Sequence, residues 1–192
     1  MAKFFGNLHL VLAIGVVLAI AVMMAFAPSA PVTVLAVMHW LHGFFGILWI
    51  GLLYYLNFVQ VPTMPSVPAE LKKGITGYIA PKVLFFFRYS ALLTVIFGLG
   101  IAGQAGYLGR ALTFSGAGTE NMIGLGMWLA LIMFFNVWAI IWPAQKKILG
   151  IVEASDAEKA KAAPLALAAS RTNLLLSLPM LYCMLQTNIS TY

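Results

Sequence analysis

Charged residues are scarce in this chain, and cysteine is almost absent. Only 8% of the 192 residues are charged, whereas about 25% is usual in soluble domains. The single cysteine, Cys183, excludes an intrachain disulfide, a CxxC zinc site and covalent attachment of c-type haem through CxxCH. The sequence also contains no P-loop and no paired-carboxylate site. The residues of P-loop phosphate binding and of two-carboxylate acid-base chemistry are therefore absent.

Apolar residues are abundant instead: 62% of the chain is hydrophobic, and the mean hydropathy is +0.97. A membrane-spanning helix needs about 20 mostly apolar residues. Such stretches predict spans at residues 8–27, 32–59, 83–105, 122–142 and 172–189, the last being shorter and interrupted by Ser177 and Pro179. The expected fold is an all-α integral membrane protein, a five-helix transmembrane bundle that forms a single domain.

The basic residues lie almost entirely on one side of the predicted membrane. With five spans, the N-terminus and residues 60–82 and 143–171 share a side, and they contain Lys3, Lys72, Lys73, Lys82, Lys146, Lys147, Lys159, Lys161 and Arg171. The opposite side has only Arg110. This asymmetry predicts a cytoplasmic N-terminus and an external C-terminus, and it explains the net charge of +6 without a nucleic-acid partner. The Ala-rich part of residues 143–171 predicts an interfacial helix on the cytoplasmic face.

The first span could instead be a secretory signal peptide, because Lys3 precedes an apolar run that ends in Ala25-Phe26-Ala27. The run is longer than an ordinary signal core, and Pro28 follows the cleavage-like site. We therefore expect the first span to be retained.

Polar side chains within the spans are the candidates for function, since such groups are costly in lipid. Helix arithmetic places one from each span within roughly 10 Å of the cytoplasmic boundary. These are His9, Asn57, Arg88, Asn136 and Asn173. They could form interhelical hydrogen bonds, or they could form a polar pocket for a quinone head group, a proton path or an anionic substrate.

The second span carries a further candidate site on one helical stripe. Its members recur at three- and four-residue intervals: His39, His42, Gly46, Trp49, Leu53 and Asn57. Gly43 and Gly46 permit close approach of a helix or a flat ring. Histidines beside small and aromatic residues suit haem b or another tetrapyrrole, although an ordinary packed helix can contain the same residues.

The haem hypothesis is limited by geometry. His39 and His42 share a face, and His9 lies roughly 19 Å from His42 along the membrane normal, so no intramolecular bis-histidine pair is available. Met133 is expected at the depth of His42, and Met127 or Met184 at that of His39. If a haem is bound, we expect His42, or alternatively His39, as the ligand of its iron, with a methionine or no second ligand; otherwise both histidines are structural. A copper site is a weaker alternative, because the ten methionines are scattered.

Three separated groups of residues follow one another in the order found in a known membrane family. They are His39-Trp40-Leu41-His42 with Gly46, Trp49-Ile50-Gly51 and Tyr54-Tyr55; Phe135-Asn136-Val137 with Trp142-Pro143-Ala144-Gln145-Lys146-Lys147; and Arg171-Thr172-Asn173 with Leu176, Leu178-Pro179 and Leu181. Together they resemble the membrane domain of the bacterial PuuD-type membrane-bound urate oxidases, over most of residues 36–188. The first group also resembles CopD-type membrane proteins.

The resemblance implies a multi-pass protein of the bacterial inner membrane. Family motif positions are matched by His42, Trp49, Asn136, Pro143, Gln145, Asn173 and Pro179. Urate oxidases of this type continue into a cytochrome c domain, and these 192 residues contain no CxxCH. The resemblance therefore implies an accessory or electron-transfer module that passes electrons to a separate cytochrome and is not an independent enzyme. The alternative is a non-catalytic subunit of a larger respiratory or photosynthetic membrane complex.

The charge asymmetry makes a direct prediction about topology. Reporter fusions after Lys147 and after Tyr192 should score on opposite sides of the membrane, the first in the cytoplasm. The measurement is paired alkaline phosphatase and green fluorescent protein activity. Two fusions that report the same compartment would exclude the five-span arrangement.

Overall fold

A computed structural model describes residues 5–26 and 33–186 of the chain. Within these residues every regular element is helical, which confirms the all-α class. The chain divides into two compact units, Met1–Val37 and Met38–Tyr192. Lys3, the last residue of the cleavage-like site, Pro28 and the predicted span ends at 27, 32 and 189 lie outside the described residues.

Six helices are described. They are α1 (Leu8–Phe26), α2 (Val34–Ser66), α3 (Ala69–Gln104), α4 (Leu108–Leu112), α5 (Gly118–Ile148) and α6 (Asp156–Gln186). Four of them, α1, α2, α3 and α5, are long and apolar enough to cross a membrane. The fifth predicted span lies on α6 and continues beyond the described residues. The five-span count and the orientation remain predictions.

Helix α6 is longer than the sequence pattern suggested. An interfacial helix and a separate fifth span were expected around Arg171, but residues 156–186 form one continuous helix of 31 residues. No glycine or proline lies between Leu165 and Leu178, so nothing in the sequence stops the helix there. The interfacial segment and the start of the expected span are therefore one rigid element.

Three of the long helices each contain a π-helical segment. The segments are Tyr55–Gln60 in α2, Ile75–Ile79 in α3 and Asn136–Ile141 in α5, and they are followed by Pro62, Pro81 and Pro143. A proline lacks the backbone N–H, and its ring clashes with the carbonyl group four residues earlier. In each case that carbonyl lies inside the π-helical segment. The prolines therefore explain where the helices widen, and Asn57 and Asn136 lie in two of the widened turns.

The core of the larger unit is formed by side chains from α2, α3, α5 and α6. Its largest fully buried side chains are Trp49, Leu53, Phe87, Met133 and Val137. Cys183 on α6 is also buried and has no disulfide partner, as expected for a structural thiol. This core fixes the mutual positions of the four helices that surround the candidate site.

A capping box begins α6 and connects it to the end of α5. The Ser155 hydroxyl accepts a hydrogen bond from the Glu158 N–H, and the Glu158 carboxylate accepts one from the Ser155 N–H. Lys147, near the end of α5, donates to the same carboxylate at 3.0 Å. The Ser155 N–H and Lys147 together lower the pKa of Glu158 to about 2. The carboxylate that forms this connection is therefore ionised at every pH above about 3.

The short helix α4 packs so closely on α5 that only glycine fits at one position. A Cβ atom at Gly124 would collide with the backbone carbonyl of Ala111, and a backbone cannot move aside as a side chain can. We expect Gly124→Ala to lower the free energy of unfolding by about 1–3 kcal/mol. Thermal unfolding in detergent measures the change.

The matched control is Gly109→Ala, on α4 itself, where an added Cβ meets nothing within 4 Å. This variant should keep or slightly raise the melting temperature, because alanine is the better helix former. Equal melting temperatures for the two variants would contradict the close packing of α4 on α5.

Candidate functional site

A cavity of about 430 Å³ lies among α2, α3, α5 and α6. Its wall is mostly apolar, and its polar side chains come from α2, α3 and the segment before α4. The residues that line the cavity include His39, His42, Gly43, Trp49, Thr94, Gly98, Tyr107, Met127 and Met184. The volume lies in the range of roughly 300–1,000 Å³ that is typical of small-molecule and cofactor sites.

The imidazole of His42 has a defined orientation in this cavity. Its Nδ1 lies 2.8 Å from the backbone carbonyl oxygen of Thr94. A carbonyl oxygen only accepts hydrogen bonds, so Nδ1 must carry the proton when the ring is neutral. The other nitrogen, Nε2, then keeps its lone pair, and no hydrogen bond to it is formed by the described residues. This arrangement is the usual one for a histidine that ligates a metal.

The close approach of α2 and α3 depends on Gly98. A Cβ atom at this position would lie 2.8 Å from Cε1 of His42 and 3.1 Å from Nδ1. Any larger residue would push the ring away from the Thr94 carbonyl. Sequence reasoning did not identify this role of Gly98. Its position opposite a histidine on a neighbouring helix cannot be read from spacing alone.

Three of the four predicted cofactor residues line the cavity, and one does not. His39, His42 and Trp49 contribute to its wall. Met133, expected at the depth of His42, is fully buried in the helix core and is not part of the cavity lining. Met127 and Met184, the methionines expected near His39, do line the cavity. The methionine side chains that line the cavity therefore lie on α5 and α6.

Two polar groups at the cavity could contact a ligand without ionising. The indole N–H of Trp49 is buried and has no hydrogen-bond acceptor among the described residues. Burial raises the pKa of Tyr107, so its hydroxyl stays protonated. Buried N–H groups without an acceptor are uncommon in folded proteins. A ligand in the cavity that accepts a hydrogen bond would satisfy this one. Among the described residues, no three of the side chains His, Cys, Asp and Glu come together as a metal site.

The predicted polar layer is partly assembled. Asn136 donates to the side-chain oxygen of Asn173 at 2.9 Å, and Asn173 donates to the Met133 carbonyl at 3.0 Å. Asn57 donates to its own helix at Leu53 and to the Ser170 hydroxyl of α6. These bonds join α5 to α6 and α2 to α6, which supports the structural interpretation of the three asparagines.

Arg88 does not join this network. The guanidinium of Arg88 stacks on the ring of Trp142, with Cζ 3.1 Å from the ring centroid. His9 is exposed on α1, which belongs to the separate N-terminal unit. Its place in a common polar layer remains a prediction.

The Asn136–Asn173 hydrogen bond can be tested by a double-mutant cycle. We expect Asn136→Leu and Asn173→Leu to be destabilising and non-additive, with a coupling energy of about 0.6–2 kcal/mol, as measured for interhelical bonds in membranes. Reversible unfolding of the two single variants and the double variant in mixed micelles gives the coupling. Fully additive effects would show that the bond contributes nothing.

Comparison with known proteins gives one match. The family described as urate oxidase N-terminal matches residues 91–191, which include the C-terminal part of α3 and all of α4, α5 and α6. No curated protein and no solved structure matches the chain. The matched region contains Asn136, Pro143 and Asn173, whereas His39 and His42 precede it. Because the match covers more than half of the sequence, the chain belongs to the urate oxidase N-terminal family.

Proposed function

We propose that this protein is a redox module of the bacterial cytoplasmic membrane that binds a haem beside His42 and passes electrons to a separate cytochrome. The supporting observation is the hydrogen bond from His42 to the Thr94 carbonyl, which leaves Nε2 as a free ligand atom at an apolar cavity. Membership of the urate oxidase N-terminal family supports a membrane module. In the proposed topology, α6 is the fifth span of the bundle, and the N-terminus of the chain lies in the cytoplasm.

The residues of the cavity fit a haem group in several respects. A haem iron needs a neutral imidazole, and its ring needs apolar walls and flat access. Gly43 lines the cavity, and a Cβ atom added there would meet nothing within 4 Å, so the helix backbone leaves open space on that side. His42 would hold the iron, and Met127 or Met184 would be the candidate second ligand. When bound, a haem supplies one-electron transfer.

The chain itself would orient and insulate the group. The Thr94 carbonyl fixes the plane and tautomer of the His42 ring, and Gly98 leaves room for that orientation. The apolar wall keeps water away, which favours the less charged oxidation state of a bound metal. Trp49 offers an N–H to any acceptor group at the edge of the ligand.

Two other functions use different features of the same structure. A quinone would use the donors of Trp49, Tyr107 and His39 and would need no metal ligand. A structural subunit would need neither a metal ligand nor hydrogen-bond donors for a quinone. The large exposed apolar side chains of α2, α3 and α5 would instead contact other membrane proteins. The following experiment separates these possibilities.

The haem proposal predicts which variants lose pigment. His42→Leu removes the ligand, and Gly43→Val puts a branched side chain on the open side of the cavity, where an added Cβ meets no protein atom within 4 Å. We expect both variants to lose most of the haem that copurifies with the protein. The pyridine haemochrome assay on protein purified in mild detergent measures it.

Two controls are matched to these variants. His9→Leu removes a histidine from α1, and Gly51→Val adds the same side chain at a position on α2 that is exposed and outside the cavity lining. Both should retain haem. Equal haem content in all four variants would refute ligation at His42, and copurifying quinone without haem would favour the quinone site.

A further inference from the structure

Arg88 presents an unusual electrostatic situation for a residue inside a membrane-spanning helix. Its side chain is only 8% exposed. Its Nε and Nη1 atoms are buried and have no hydrogen-bond acceptor among the described residues. A buried guanidinium without an acceptor is costly, so a group absent from this chain is expected to meet it.

The surroundings of Arg88 add further positive charge and a further unpaired donor. The ammonium group of Lys146 lies near the Trp142 indole on which Arg88 stacks, with Nζ 5.8 Å from the ring centroid. The indole of Trp138, whose ring centroid is 5.9 Å from Cζ of Arg88, also has a buried N–H without an acceptor. The cluster formed by Arg88, Trp138, Trp142 and Lys146 thus contains donors and cations only.

No acidic side chain in the described part of the chain neutralises this cluster. Its five acidic residues are all in the described part, and none pairs with Arg88 or Lys146. Glu120 pairs with Arg110, Glu158 with Lys147, and Asp156 with Lys159. Two neighbouring cations repel each other unless an anion lies between or beside them.

The position of the cluster indicates where such an anion comes from. Lys82 precedes Arg88 by six residues on α3, which places Arg88 about 9 Å deeper along the helix than the last lysine before it. Beside Arg88 lie aromatic rings that face outward. Phe85 and Tyr89 are 46% and 41% exposed, and Tyr89 contacts Trp138. Aromatic rings with one polar end are typical of the level of lipid head groups.

We propose that the cluster of Arg88, Trp138, Trp142 and Lys146 binds the phosphate group of an anionic phospholipid. The two cations and the Trp138 N–H meet the phosphate oxygens, and Phe85 and Tyr89 contact the lipid tails. Basic pockets among transmembrane helices commonly bind such head groups. The site does not involve the cavity beside His42 and does not depend on its occupant.

The test uses the full chain, delipidated in a neutral detergent, with native mass spectrometry to count bound lipids. The probes are dioleoylphosphatidylglycerol, dioleoylphosphatidylcholine and inorganic phosphate. We expect the anionic lipid to bind more tightly than the zwitterionic one. Arg88→Gln and Lys146→Gln should each weaken its binding by about fivefold or more, since a basic residue near an anionic surface contributes about 1 kcal/mol.

The control is Lys73→Gln, which removes the same charge from the first turns of α3 and should bind as the wild type does. If Arg88→Gln does not fold, Lys146→Gln decides, because this side chain is only partly buried. Equal binding of the two lipids, or unchanged binding in Lys146→Gln, would overturn the proposal. Binding of inorganic phosphate as tight as that of the anionic lipid would also overturn it and assign the cluster to a free oxyanion.

Discussion

The contact between α2 and α3 at His42 determines most of the properties of the candidate site. One backbone carbonyl, that of Thr94, fixes the proton on Nδ1 and so leaves Nε2 with its lone pair. Gly98 has no side chain, and this allows the imidazole of His42 to lie against α3. Without either, the ring could turn and bond to a different partner. The chemistry proposed for the cavity therefore rests on a backbone acceptor and a glycine as much as on the histidine.

The prolines near the basic ends of the helices have a second structural effect. By opening π-helical turns in α2 and α5, they shift Asn57 and Asn136 relative to a regular α-helix. The shifted asparagines bond to Ser170 and Asn173 on α6. The continuous α6 thus connects two helices that the prolines have reshaped. This network positions α6, which carries Met184 to the cavity wall.

Much of this could be predicted from the sequence, for identifiable reasons. Long apolar runs predict membrane helices because the cost of burying a polar backbone in lipid leaves few alternatives. Regular spacing on one helix placed His39, His42 and Trp49 on a common face, and all three line the cavity. Contacts between helices were harder to predict. Helix arithmetic gives depth but not rotation, so it did not show that Met133 lies in the helix core and not in the cavity wall. Gly98 and Thr94 carry no chemical signal of their own.

The most direct measurement of the central claim is the anomalous X-ray scattering of crystals of the protein purified from membranes, recorded at the iron absorption edge. The account predicts an anomalous peak in the cavity, within coordination distance of His42 Nε2, with Nδ1 still bonded to the Thr94 carbonyl. A cavity filled by a lipid chain or a quinone, with no iron beside His42, would contradict it.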